Sequence, residues 1–130
     1  MTMAFACVGI AFLLTLASKA PVAVAMARQP GGYDNSTPRD QQAALDGWGR
    51  RAVAAHLNSF EAFAPFAAAV FVAVLADADP DWTARLSIAF ISARVLYTPL
   101  YIADVAWLRS LVWTVGFAAT CGLFALPLLG

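Results

Sequence analysis

Charge is scarce in this sequence. Of its 130 residues, 12% are Asp, Glu, Lys or Arg, against about 25% in a typical soluble domain. Eight basic and eight acidic side chains cancel to a formal net charge of zero. No basic stripe is left to neutralise phosphates, so a nucleic-acid partner is excluded. Cysteine is almost absent. Cys7 and Cys121 both lie in apolar stretches, read as buried packing residues, and they give no framework for a zinc knuckle or a disulfide scaffold. No metal site is expected. The first apolar run has no positively charged region before it and is too long for a secretory signal, so it reads as a retained helix. The lack of a targeting extension fits a bacterial inner membrane.

What remains is apolar: 62% of the residues are hydrophobic and the mean hydropathy is +0.72. Four long runs stand out, and the pattern predicts helices over about 3–27, 38–76, 80–103 and 107–129. A helix needs about 20 residues to cross the hydrocarbon of a bilayer. Four crossings therefore use nearly the whole chain. The expected fold is an all-α integral membrane protein, one four-transmembrane-helix bundle in contact with membrane lipids. The runs are continuous and Ala-rich, which excludes the alternating strands of a β-barrel.

The connections differ in kind. Asp77-Ala78-Asp79-Pro80-Asp81 is a short acidic turn in which Asp79 caps the third helix and Pro80 takes its first position. Thr37-Pro38-Arg39-Asp40 reads as another helix start, with Thr37 as cap. The second helix then begins outside the membrane, weakened by Gly47 and Gly49. Arg28, Arg39, Arg50 and Arg51 crowd the first loop and Arg109 lies by the third connection. The positive-inside rule places both connections in the cytoplasm and both termini in the periplasm.

Polar side chains inside the runs fall at one depth. Early in helix two come Arg51, His56, Asn58 and Glu61; late in helix three come Arg94, Tyr97 and Tyr101. On an antiparallel bundle these positions are level with one another, and with Arg28 and Arg109. At 100 degrees per residue, Arg51 and Asn58 lie within about 20 degrees of each other, and Glu61 about 60 degrees further. Arg94, Tyr97 and Tyr101 form an i, i+3, i+7 stripe. Ionised groups in a membrane face a bundle interior or a polar cavity. Glu61 then needs a partner, and Arg94 and Arg28 are the expected ones. Pro65 removes the amide that would bond the Glu61 carbonyl, and Pro99 does the same to Val95.

The run from Arg51 to Phe66, with Arg51, His56, Asn58, Glu61 and Pro65 in order, resembles the helix-two signature of the MAPEG family, the membrane-associated proteins of eicosanoid and glutathione metabolism. Asn35-Ser36-Thr37-Pro38-Arg39 is similar to the segment that opens this helix in the family. Ala93 to Tyr101, followed by Trp107-Leu108-Arg109-Ser110, resembles helix three and the turn into helix four. The match covers about residues 20–130 and is that of a bacterial-type member. It implies a homotrimer with sites between neighbouring subunits, glutathione as co-substrate, and a hydrophobic small-molecule substrate arriving from the bilayer. Carried over by position, Asn58 and Glu61 hold the peptide's backbone and amino end, and Arg94 positions Glu61 and a carboxylate. Tyr97 and Tyr101 hydrogen-bond the ligand, and Arg28 and Arg51 contribute to binding. Arg109 of a neighbouring protomer lies near sulfur, with Ser110 and Tyr101 as further catalytic candidates.

Two positions depart from the family pattern: Ala54 and Leu57 stand where members carry arginine. One or two carboxylate contacts are thus missing, which leaves open a smaller thiol, weak binding or lost catalysis. The function implied is a thiol-dependent transferase or peroxidase. Two other readings compete with it, a small proton-coupled transporter using Glu61 and a non-catalytic trimeric scaffold held by the polar cluster.

Overall fold

The computed structural model describes residues 2–129, and every regular element among them is helical. The elements are α1 (Met3–Ala17), α2 (Lys19–Ala27), α3 (Pro38–Ala44), α4 (Gly47–Leu75), α5 (Pro80–Ile102) and α6 (Ala106–Ala125), with a short 3₁₀ turn at Leu126–Leu128. Three stretches are long and apolar enough to cross a membrane: Met3–Ala27, Gly47–Leu75 and Ala106–Leu128. The 23 residues of α5 carry Asp81, Arg85 and Arg94, which lower its mean hydropathy.

The first helical stretch, Met3–Ala27, is one run of membrane-spanning length with a single irregular position. That position is Ser18, whose amide still bonds the Leu14 carbonyl while its hydroxyl donates to the Thr15 carbonyl at 2.6 Å. Pro21 explains the irregularity, because it has no N–H to give the Ala17 carbonyl four residues earlier. The second helix divides. Leu45 is extended (φ −65°, ψ 146°), and Gly47 has φ +51°, a left-handed geometry that glycine adopts without a Cβ penalty. The chain thus turns between α3 and α4 instead of running straight over 38–76.

Local capping follows the sequence in one place and not in another. Asp79 Oδ1 accepts from the Trp82 amide at 2.8 Å, with Pro80 at the first helical position. Thr37 makes no side-chain cap to α3. Its hydroxyl instead donates to Asp34 Oδ2 at 2.7 Å, and Asp34 Oδ1 accepts from the Ser36 and Thr37 amides at 2.8 and 3.0 Å. Three bonds to a carboxylate outweigh one cap. Gln41 then ties the loop to the bundle, donating to the Met26 and Gly32 carbonyls.

Around the bundle, α1 and α6 each pack against both members of the α4–α5 pair. Small side chains let α4 and α5 approach. Ala55 and Ser59 are buried on α4, facing Ala93, Arg94 and Tyr97 of α5, while Ala52 packs with Val22, Ala25 and Met26 of α2. Below them the rings of Phe66 and Phe90 stack in parallel, with centroids 3.8 Å apart. Cys7 is buried as expected, but Cys121 is exposed, on the face of α6 turned away from the bundle.

Candidate functional site

The α4–α5 seam brings an amide, an acid and a cation together. Arg94 is 9% exposed and Tyr97 5%. Arg94 Nη1 donates to Asn58 Oδ1 at 3.0 Å, and Nη2 to Ser59 Oγ at 3.3 Å. Asn58 Nδ2 donates to Glu61 Oε2 at 3.2 Å. Glu61 does not pair directly with Arg94 or Arg28; the Asn58 amide spans the gap, its carbonyl end toward the cation and its amino end toward the anion. Both ends of that dipole are favourably placed, and the bonds to charged groups are the strong kind. Beneath the guanidinium lies the Tyr97 ring, 4.2 Å from its central carbon.

Aromatic stacking continues the array toward the α5–α6 connection. Tyr97 and Tyr101 meet edge to face with centroids 5.7 Å apart, and the Arg109 guanidinium carbon sits 4.4 Å from the Tyr101 ring centroid. A cation over a ring face is attracted by its quadrupole. The turn that places Arg109 is tight: Asp104 has φ +62° and the Val105 amide bonds back to Leu100. Arg109 then falls in the opening turns of α6, near its free amide end.

Four of the polar residues singled out in the sequence stand elsewhere. Arg51 Nε donates to the Ile102 carbonyl at 3.0 Å, satisfying one of the free carbonyls at the end of α5. Arg28 is exposed, with its guanidinium carbon 5.6 Å from the Trp48 ring centroid. Ser110 is exposed, and its carbonyl accepts from the Thr114 hydroxyl. His56 faces α1, where its Nδ1 lies 2.7 Å from the Ser18 hydroxyl. Among the described residues there is no group of three His, Cys, Asp or Glu able to hold a metal.

Two hollows flank the seam. One, of ≈ 210 Å³, lies between α4, α5 and α6; Asn58, Glu61 and Arg94 form its polar wall, and Phe90, Trp113 and Phe117 are among its apolar lining. The other, of ≈ 160 Å³, lies between α1, α4 and α5, where Thr15, Ser18, Ser59, Arg94 and Thr98 supply the polar atoms. Arg94 borders both. Sequence reasoning missed Ser59 and Thr15. The signal for Ser59 is its place four residues after Ala55, on the small-residue face of α4 that meets α5.

The MAPEG family model matches residues 3–129, nearly the whole chain. No curated protein and no solved structure gives a match. The helices of membrane-spanning length, the polar seam inside them and the extent of this match lead to one assignment: the chain is an integral membrane protein belonging to the MAPEG family, the membrane proteins of eicosanoid and glutathione metabolism.

Proposed function

We propose that the protein is a thiol-dependent transferase or peroxidase that acts on hydrophobic electrophiles at the cytosolic side of a bacterial inner membrane, with glutathione as co-substrate. The observation that carries this reading is the Arg94–Asn58–Glu61 relay on the wall of the α4–α5–α6 hollow. Glutathione has an ammonium and carboxylates, and such a wall offers the ammonium an anion and one carboxylate a cation. In this reading α1 with α2, α4, α5 and α6 make four crossings, with the first and third connections cytoplasmic, and three chains associate so that sites form between neighbours.

Glu61 and Asn58 take the amino end of the thiol peptide, and Arg94 takes a carboxylate. Tyr97 and Tyr101 supply hydroxyl groups along the way to sulfur. Arg109, set near the amide end of α6, stabilises the thiolate by opposite charge, with Ser110 as a weaker neighbour. The thiol proton leaves to solvent. Sulfur then forms a carbon–sulfur bond at the carbon of a chlorinated aromatic, and chloride departs with the electron pair of the broken bond. Arg28 and Arg51, engaged by Trp48 and the Ile102 carbonyl within the chain, lie outside this inner set.

The test is conjugation of a chlorinated aromatic with glutathione by the purified protein in detergent. Arg109→Ala is expected to lower kcat/KM at neutral pH by about tenfold for each unit that the thiol pKa rises. The midpoint of the pH–rate profile moves up correspondingly. Turnover and pH profile unchanged by Arg109→Ala would remove the thiolate role.

A further inference from the structure

The hollow beside Glu61 is small, and its charges are few. At ≈ 210 Å³ it falls below the usual range for pockets that enclose drug-sized ligands, about 300–1,000 Å³. Its wall carries one anion, Glu61, and one cation, Arg94, joined by Asn58. That arrangement fits the zwitterionic end of an α-amino acid, with the ammonium on Glu61 and the carboxylate on Arg94. The guanidinium has N–H groups to spare. Of its five, the described residues engage one on Nη1 and one on Nη2.

Among the described residues, Arg94 is the cation that lines this hollow. Arg51 is spent on the Ile102 carbonyl, Arg28 on Trp48 and Arg109 on Tyr101. One turn before Asn58 on α4 stands Ala54, and directly before it the exposed Leu57; neither can meet a carboxylate. We infer that the site selects its thiol by the free α-amino-acid head alone and does not read a carboxylate at the far end. This inference rests on the proposed function and narrows its substrate class to small thiols with an unblocked amino-acid head, of which glutathione is one among several.

Calorimetric titration of the full-length protein in detergent tests it with three probes: glutathione, its glycyl monoethyl ester, and glutathione acetylated on the γ-glutamyl amine. The ester lacks only the far charge, and its dissociation constant is expected within about threefold of that of glutathione. Loss of a charge-assisted contact costs about tenfold or more, so the acetylated peptide is expected to bind at least that much more weakly. In Glu61→Gln the gap between glutathione and the acetylated peptide should close to about threefold or less. A tenfold loss with the ester, or equal binding of the acetylated peptide to the unaltered protein, overturns the inference. Conjugation is measured separately. Binding in the expected order without turnover overturns the proposed function and upholds the head-group reading, whereas no binding of any probe overturns both.

Discussion

At the scale of single residues, Asn58 and Ser59 decide whether Arg94 is tolerable where it is. The guanidinium is almost fully buried, and Asn58 and Ser59 are the side chains that accept its hydrogen bonds. Asn58→Leu keeps the volume but strips Arg94 of one acceptor and Glu61 of its donor. Leaving a buried polar group short of a partner costs about 1–3 kcal/mol, and more when the group is charged. Ser59→Ala removes the acceptor of the longer of the two guanidinium bonds and a local bond to the Ala55 carbonyl, and side-chain hydrogen bonds within membranes average about 0.6 kcal/mol. Unfolding by added SDS in mixed micelles should therefore rank wild type, Ser59→Ala and Asn58→Leu in descending stability; the reverse order of the two variants would contradict this account of Arg94. The sequence made Asn58 and Arg94 conspicuous because a polar group inside an apolar run is costly and easily noticed. Ser59 was hidden because serine at a small-residue position differs little from the alanines around it. Only the geometry shows that its hydroxyl meets Nη2.

The elements show the same contrast between local and distant causes. The Asp79–Pro80 start of α5 was legible because donor and acceptor lie three residues apart. Thr37 has the same local pattern, yet a neighbouring loop carboxylate captures its hydroxyl. The irregularity at Ser18 was hidden because Pro21 acts four residues back, on the Ala17 carbonyl, within a run that otherwise reads as one apolar helix. The Asp34 loop also makes a prediction about pH. The Thr37 amide, then the Thr37 hydroxyl and the Ser36 amide, hold the Asp34 carboxyl below its ordinary value of 3.8. A depressed acid stabilises the folded loop at pH values above its unfolded pKa, and that contribution fades as pH falls through the folded pKa. Proton–nitrogen spectra of the Ser36 and Thr37 amides should titrate together with a midpoint below 3.8, and Asp34→Ala should abolish the transition. A midpoint at or above that value would mean that the loop bonds do not bias the acid.

For the whole molecule, the question is how many chains build one site. Within a single chain Arg109 already touches the array through Tyr101, while the proposed trimer takes its sulfur-side arginine from a neighbour. Mixing two impaired variants, Arg109→Ala and Asn58→Leu, and reading the activity above their own residual rates separates the two arrangements. If the site is shared, random association of equal amounts in a closed ring leaves about a quarter of the sites with both intact partners. Conjugating activity should recover to about that fraction of wild type. A site confined to one chain would recover nothing. The helical architecture and polar seam were readable from long apolar runs interrupted at matching depths. The assembly was not, because the exposed Leu111, Val115 and Phe117 of α6 are apolar in the manner of either a lipid-facing or a protein-facing surface.

One arginine bordering two clefts has a further consequence. The guanidinium of Arg94 forms part of the wall between α1 and α5 as well as that beside Glu61. An occupant of either cleft that draws this group toward itself withdraws it from the opposite one, and by linkage each occupant alters the other's affinity by an equal factor. The two sides of the protomer are then balanced on a single shared pivot.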